Sequence, residues 1–384
     1  MGGLFAERHA FVVEWLDGNS GITWKYQLLH FPESKELEMY DIKNRKTFLK
    51  RCRYEQITAD MLYVGAVITV YSRQLRVIDY ADEFTRKSLS NRQERTLAMV
   101  KPDAVQHLGS IVDAVLQSGF ILSKMKMCKL SLGEAQQFYA VHQGKPFYDT
   151  LTHFMSSGRV VAMELVRDGA IANWRALIGP TNSDKARADA PQSLRARFGT
   201  DGTQNACHGS DAPDTAALEL GFFFEQAGVG KCDLGANTTL CLVKPHAVKS
   251  GLAGQIISKI QQEYVVTALQ MFSLDAVNAT EFLEVYKGVV PPGEFSGMLD
   301  ELTSGPFIAM ELADPHGANP VEAVRELAGP ADPEIARMLR PNSIRAKFGL
   351  NKIQKAVHCT DLAEDGPLEV SYFFTILAGT PGFM

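Results

Sequence analysis

Long apolar runs are missing from this 384-residue chain. None approaches the roughly 18 residues that a membrane-spanning helix needs, so no such helix is expected. The first twenty residues lack an apolar core of signal-peptide type, and no secretion signal is expected. An excess of one charge is missing as well: 39 Lys and Arg against 44 Asp and Glu leave −5, with a pI near 6.0. That balance argues against a protein that coats nucleic acid. Cysteine is scarce, with six residues in all (Cys52, Cys128, Cys207, Cys232, Cys241 and Cys359) and no CxxC pair among them. A zinc ribbon or disulfide framework needs tighter, paired spacings, so a reducing, cytoplasmic setting is expected. The 31 Gly and 17 Pro follow no collagen-like period, and 46% apolar residues exclude wholesale disorder.

What the chain does contain is a repeat of itself. At about 150 residues per domain the length allows two to three folding units. TLAMVKPDAV at 96–105 returns as TLCLVKPHAV at 239–248, and SGRVVAMELV at 157–166 returns as SGPFIAMELA at 304–313. SLRARFGTDGTQNACHGSD at 193–211 is answered by SIRAKFGLNKIQKAVHCTD at 343–361. The offset is 143 at Lys101/Lys244, 147 at Tyr139/Tyr286 and 150 at Arg175/Arg325, Arg195/Arg345, His208/His358 and Glu219/Glu369. Small length differences followed by a constant offset mark a tandem duplication with loop drift, not a solenoid. The Gly-rich stretch 225–237 between the copies reads as a linker. Its GVGK is no phosphate loop, because the leading Gly is absent and Cys232 stands where Ser or Thr belongs. These landmarks divide the chain into 1–90, 91–227 and 237–384.

The first ninety residues do not repeat. Short β-branched and aromatic runs, from AFVVEWL to LRVIDY, alternate with the turn-prone GNSG, PESKE and KNRK, which suggests a small β-sandwich or barrel. EFTRKSL could close it as a helix. Lys43, Arg45, Lys46, Lys50, Arg51 and Arg53 fall within eleven residues. They form a solvated hairpin or a contact surface for an acidic partner. With no nucleophile-plus-base pair in view, this segment reads as a docking module.

Each repeat reads as βαββαβ: an antiparallel sheet with helices on one face, a ferredoxin-like sandwich and hence an α+β fold. In the first copy, ALELG before FFF reads as a helix running into an edge strand. His208 alone would be a weak signal. Lys101, Arg175 and Arg195, with Thr181 and Asn205, add the three cations and hydrogen-bonding groups that a triphosphate requires. Taken singly, each Arg reads as a salt bridge and Thr181 as a helix cap; the histidine repeated in both copies tips the balance toward a site.

The ordered set TLAMVKPD, HQGKPFYDTL, SSGRVVAMEL, IGPTNS, LRARFG and NACHGSD resembles the nucleoside diphosphate kinase family. The three-part layout resembles multidomain members of ciliary axonemes, whose leader is a DM-ten domain of pleckstrin-like fold. The resemblance implies a γ-phosphoryl transfer from a nucleoside triphosphate to a nucleoside diphosphate through phosphohistidine at His208, with ping-pong kinetics. It makes Glu219 the residue that orients His208, Ser210 the support of Glu219, and Tyr139 the support of Lys101 and His208. Lys101, Arg175, Thr181, Arg195 and Asn205 would hold phosphate and sugar oxygens, while Phe147 stacks on the base. Mg²⁺ would arrive on the nucleotide, with no protein metal site. The same resemblance implies cytoplasm and cytoskeleton, in the axoneme of a cilium or flagellum, with tubulin and other microtubule proteins as partners and neither nucleic acid nor membrane. The second reading is a mainly structural microtubule-associated (microtubule inner) protein with weak or no catalysis.

The second copy keeps Lys244, Tyr286, Arg325, Arg345, His358 and Glu369. Ala331 replaces Thr181, Lys355 replaces Asn205, and Glu294 or Phe295 stands where Phe147 should stack. His246 replaces Asp103 and Cys359 replaces Gly209. A weak or inactive site is expected there, with Lys355 partly compensating.

Overall fold

The computed structural model describes residues 8–17, 20–71, 73–89, 94–226 and 228–378. The boundary expected at 90/91 lies outside these residues, as does residue 227.

In the leader, alternation of apolar and polar residues builds six strands: β1 His9–Leu16, β2 Thr23–Phe31, β3 Glu36–Asp41, β4 Lys46–Arg53, β5 Val67–Val70 and β6 Arg73–Tyr80. They form one antiparallel sheet in the order β4-β3-β2-β1-β6-β5. Phe11, Val13, Leu28, Leu37, Leu75 and Val77 are fully buried on its inner face. The helix Glu83–Leu89 follows β6, where EFTRKSL stands. The basic hairpin is less free than its composition suggests. Arg51 pairs with Glu36 at 2.6 Å and covers Phe31, Arg53 pairs with Glu55, and Lys43 sits over Trp24.

The two copies share one eight-stranded sheet. The first supplies β7 Glu94–Val100, β8 Ile121–Lys129, β9 Arg159–Arg167 and β10 Cys207–Gly209. The second supplies β11 Thr238–Val243, β12 Val265–Phe272, β13 Phe307–Ala313 and β14 Val357–Cys359. The order β10-β7-β9-β8-β12-β13-β11-β14 is the ferredoxin-like 4-1-3-2 arrangement twice, joined edge to edge at β8 and β12. Ile121 and Val265 open the joining strands at an offset of 144, and their paired residues Lys126 and Gln270 differ by the same 144. The pairing point therefore lies on a local twofold axis, and like surface packs on like. Helices Leu108–Gln117 and Ala253–Gln261 cross on the same axis. A Cβ on Gly109 would lie 2.1 Å from the Ser258 amide nitrogen, and one on Gly254 would lie 2.2 Å from that of Asp113. Gln261 links the two helices by accepting from the Gly109 amide at 2.9 Å and donating to the Val105 carbonyl at 2.8 Å.

One expectation changes. The FFF run is not an edge strand: Pro213–Phe224 is one helix, and Phe222, Phe223 and Phe224 are all buried along it. Burial against the sheet overrides the strand preference of aromatics, and the edge strand is the three-residue β10 that carries His208. The interrepeat segment is an exposed linker over most of its length, yet it is bonded at several points. Lys126 Nζ donates to the Val229 carbonyl, Gly230 donates to Glu134, Lys231 bridges to Lys129 and Gly235 donates to Glu311. It is a strap bonded to both copies.

Candidate functional site

β7 carries Lys101 to its end, where Pro102 disfavours helical backbone and holds Lys101 extended at φ −82°, ψ 166°. Lys101 is 5% exposed, and its ammonium donates to the Thr203 carbonyl at 3.1 Å. Burial, reinforced by the Arg195 charge, brings the Lys101 pKa down to about 8. β10 pairs with β7 in antiparallel register, His208 opposite Met99, so the edge strand sets the histidine beside the lysine. Ala206 just before it adopts φ 64°, and Ala356 repeats this at φ 66°. A left-handed alanine costs about 1–2 kcal/mol, which the flanking strand pairing holds in place.

His208 Nε2 bonds to Glu219 Oε1 at 2.8 Å, and the other carboxylate oxygen accepts from Ser210 Oγ at 2.5 Å. With Glu219 ionised, this bond assigns the proton to Nε2 and leaves the Nδ1 lone pair free. Phe138 and Tyr139 flank the imidazole edge-on at 5.4 and 5.8 Å. Around this centre three buried polar atoms have no hydrogen-bond partner among the described residues: Tyr139 Oη, Asn205 Oδ1 and Asp103 Oδ1. Each such atom costs about 1–3 kcal/mol, a penalty that a polar ligand would remove.

The remaining predicted residues ring this centre. Arg195 is buried and donates to the Cys207 carbonyl at 2.8 and 3.2 Å and to Gly179 at 2.9 Å. Arg175 is exposed, and its side chain makes no hydrogen bond or ion pair with the described residues. Thr181 is exposed and its carbonyl accepts from Asn205 Nδ2 at 2.8 Å; the helix cap is Asn182, which accepts from the Lys185 amide. Phe147 is 48% exposed at the start of the helix Tyr148–Ser157, as a stacking platform would be. The Tyr139 hydroxyl has no hydrogen-bond partner among the described residues, while its ring meets His208 edge-on. Two residues to which the sequence assigned no role stand at this centre. Asp103 Oδ2 accepts the strained Ala206 amide at 3.0 Å, and burial raises the pKa of its carboxyl. His142 stands between Phe147 (5.5 Å) and Tyr139 (6.1 Å), linking platform to centre. The Asp103 signal was available, because its replacement by His246 demanded a compensating change.

The second copy shows that change. Ala356 donates to His246 Nε2 at 3.3 Å, and His246 Nδ1 donates to buried Glu301 at 2.5 Å. Burial pushes the Glu301 pKa up, but the His246 bond and the Lys244 charge outweigh it and the net shift is downward. Lys244 donates to the Ile353 carbonyl at 2.5 Å, and its pKa falls to about 7 through burial. The Tyr286 hydroxyl donates to Asp361 at 2.5 Å, and Arg325 is bonded to the same residue. His358 is 3.4 Å from Glu369 and only 7% exposed. Glu294 lies inside the helix Pro292–Thr303, while Phe295 packs into the apolar cluster, so neither is a platform. Lys355 is half-buried, and the loss of water around its ammonium lowers its pKa.

A cleft of about 450 Å³ on the twofold seam, lined by Asp113, Arg197, Lys259 and Lys347 among others, contains none of these residues.

Comparison with known proteins agrees with this anatomy. The nucleoside diphosphate kinase family profile matches residues 94–229 and 237–377, and a profile for the nucleoside diphosphate kinase 7 N-terminal PH domain matches 4–91. Nucleoside diphosphate kinase homolog 7 of Rattus norvegicus is 48% identical over 376 residues, covering 97% of this chain and 94% of that protein; the Mus musculus protein gives the same figures. The crystal structure of the Aquifex aeolicus nucleoside diphosphate kinase is 46% identical, covers 36% of this chain and 99% of its own, and has a TM-score of 0.35. The chain therefore belongs to the nucleoside diphosphate kinase family, as two tandem kinase domains behind a pleckstrin-homology-like one.

Proposed function

We propose that the first copy transfers the γ-phosphoryl of a nucleoside triphosphate to a nucleoside diphosphate through His208. The observation that carries this reading is the Glu219–His208 bond at 2.8 Å, which leaves Nδ1 as nucleophile beside the buried Lys101. Nδ1 attacks the γ-phosphorus in line, the P–O bond to the leaving diphosphate breaks, and the acceptor diphosphate later reverses the step. Glu219 stabilises the charge that the ring acquires. Lys101, Arg175 and Arg195 offset the phosphate charge, Asn205 and Thr181 fix sugar and phosphate oxygens, and Phe147 stacks on any base because every base offers a π-face. Mg²⁺ enters as part of the nucleotide. Labelled ATP should leave an alkali-stable, acid-labile phosphate that His208→Ala abolishes and His358→Ala spares. Labelling retained in His208→Ala would identify a different nucleophile.

A second, structural role in axonemal microtubules is compatible with this chemistry, and the inward-bonded second site favours it. Tubulin's acidic surface would suit the hairpin through Lys46 and Lys50, since Arg51 and Arg53 are already paired. Microtubule cosedimentation should weaken on reversing Lys46 and Lys50; unchanged binding would remove the hairpin from the proposal. Full rescue of deficient cells by His208→Ala would make the structural role the dominant one.

A further inference from the structure

Cys241 on β11 faces Cys359 on β14, with the two Sγ atoms 4.0 Å apart. The register decides whether a covalent bond fits between them. Thr360 donates to the Leu240 carbonyl and Lys244 donates to the Ala356 carbonyl. Positions 240 and 244 are thus hydrogen-bonded pairs, and by alternation 241 opposite 359 is a non-hydrogen-bonded pair. Such pairs bring Cα atoms to about 4.5 Å with side chains closer, inside the roughly 4.4–6.8 Å window of a disulfide.

The first copy cannot do this. Its corresponding pair is Ala98 opposite Gly209. A Cβ on Gly209 would come within 2.4 Å of the Trp174 ring. At the same offset of 150 the second copy has Val324 in place of the tryptophan, which makes room for the Cys359 side chain. Two thiols and the space for them are specific to one copy.

We propose that Cys241 and Cys359 are a thiol–disulfide centre, closed by a hydroperoxide. The Cys359 thiolate attacks the peroxide oxygen, the O–O bond breaks, and a sulfenic acid and an alcohol or water result. Cys241 Sγ then attacks that sulfur, its proton leaving with the displaced hydroxide as water. Two thiols and one hydroperoxide thus give one disulfide, one alcohol and one water, with two electrons passing from sulfur to oxygen. Cys359 is the attacking partner: the Cys241 contact and the Arg345 guanidinium favour its thiolate against the effect of burial. Both thiols are buried, so access depends on opening β14, a three-residue strand at the sheet edge and therefore cheap to detach. The bond would clamp β11 to the strand bearing His358.

The test treats the full chain with hydrogen peroxide, alkylates it, and maps its peptides without reductant. A 241–359 linked peptide should account for most of both cysteines and vanish on reduction. The thermal unfolding midpoint should rise on oxidation and return with dithiothreitol. Cys241→Ala, which copies Ala98, should abolish both effects, and Cys359→Ser should do the same. Separate alkylation of Cys241 and Cys359 after peroxide has consumed the more accessible Cys52, or linkage of either to another cysteine, overturns the proposal.

Discussion

The two copies keep the same scaffold and differ in where their polar atoms point. Arg345 repeats the Arg195 bonds, reaching Gly329 at 2.7 Å and Val357 at 3.3 and 3.4 Å. Thr360 supports Glu369 at 2.8 Å as Ser210 supports Glu219. At the ligand-facing atoms the likeness ends. Tyr139 Oη and Asn205 Oδ1 wait unpaired in the first copy, whereas Asp361 occupies Tyr286 and Arg325 in the second. The first copy stores unsatisfied polarity that a nucleotide can relieve; the second has met those needs internally and would have to break bonds to bind. A repeated histidine is thus insufficient evidence for a repeated activity, because the surroundings determine whether anything remains for the substrate to satisfy.

Grafting the second copy's losses onto the first puts this contrast under the greatest strain. Thr181→Ala with Asn205→Lys should lower kcat/KM for nucleotide by about 10²-fold, at roughly tenfold for each lost contact. Steady-state turnover of the full chain measures it. Near-normal turnover would mean that these two positions do not explain the difference between copies.

At the seam the contrast should disappear. Gly109→Ala and Gly254→Ala each place a methyl within 2.2 Å of backbone in the opposite helix. Alanine gains about 1 kcal/mol of helix propensity over glycine, but a backbone clash that must shift both helices costs about 1–3 kcal/mol and prevails. Both variants should lose stability by similar amounts in denaturant titrations. A marked inequality would show that the pseudo-twofold is geometric only.

The seam also marks the limit of what the sequence made legible. The duplication, the βαββαβ order and the grouping of Lys101 with His208 follow from motif spacing, because strand ends and turn residues are written locally, whereas the role of Glu219 came with the family resemblance. The joining of β8 to β12 is not, since an edge pairing depends on which apolar helix faces meet. Phe222–Phe224 misled for the opposite reason: a strong local strand preference yielded to burial along a helix. The replacement of Asp103 by His246 was visible, while its compensation by Glu301, fifty-five residues away, required the fold to bring them together.

The smallest expected effect concerns the two buried lysines. Lys101 has its pKa lowered from 10.5 to about 8, so the ligand-free first site keeps its ammonium up to that pH. Phosphate binding needs the charged form, and kcat/KM should therefore fall above about pH 8, approaching tenfold per unit. Stability runs the other way. Between about 8 and 10.5 the unfolded chain binds the proton that the folded lysine has lost, so the ligand-free protein gains stability from this group as pH rises through that window. Lys244, at about 7, gives up its charge a unit earlier, which handicaps the second site near neutrality. Lys101→Arg keeps a charge at every accessible pH and should extend the alkaline limb of kcat/KM. If that limb stays near pH 8 in the arginine variant, another group sets it, and the difference between the two lysines plays no part in separating the copies.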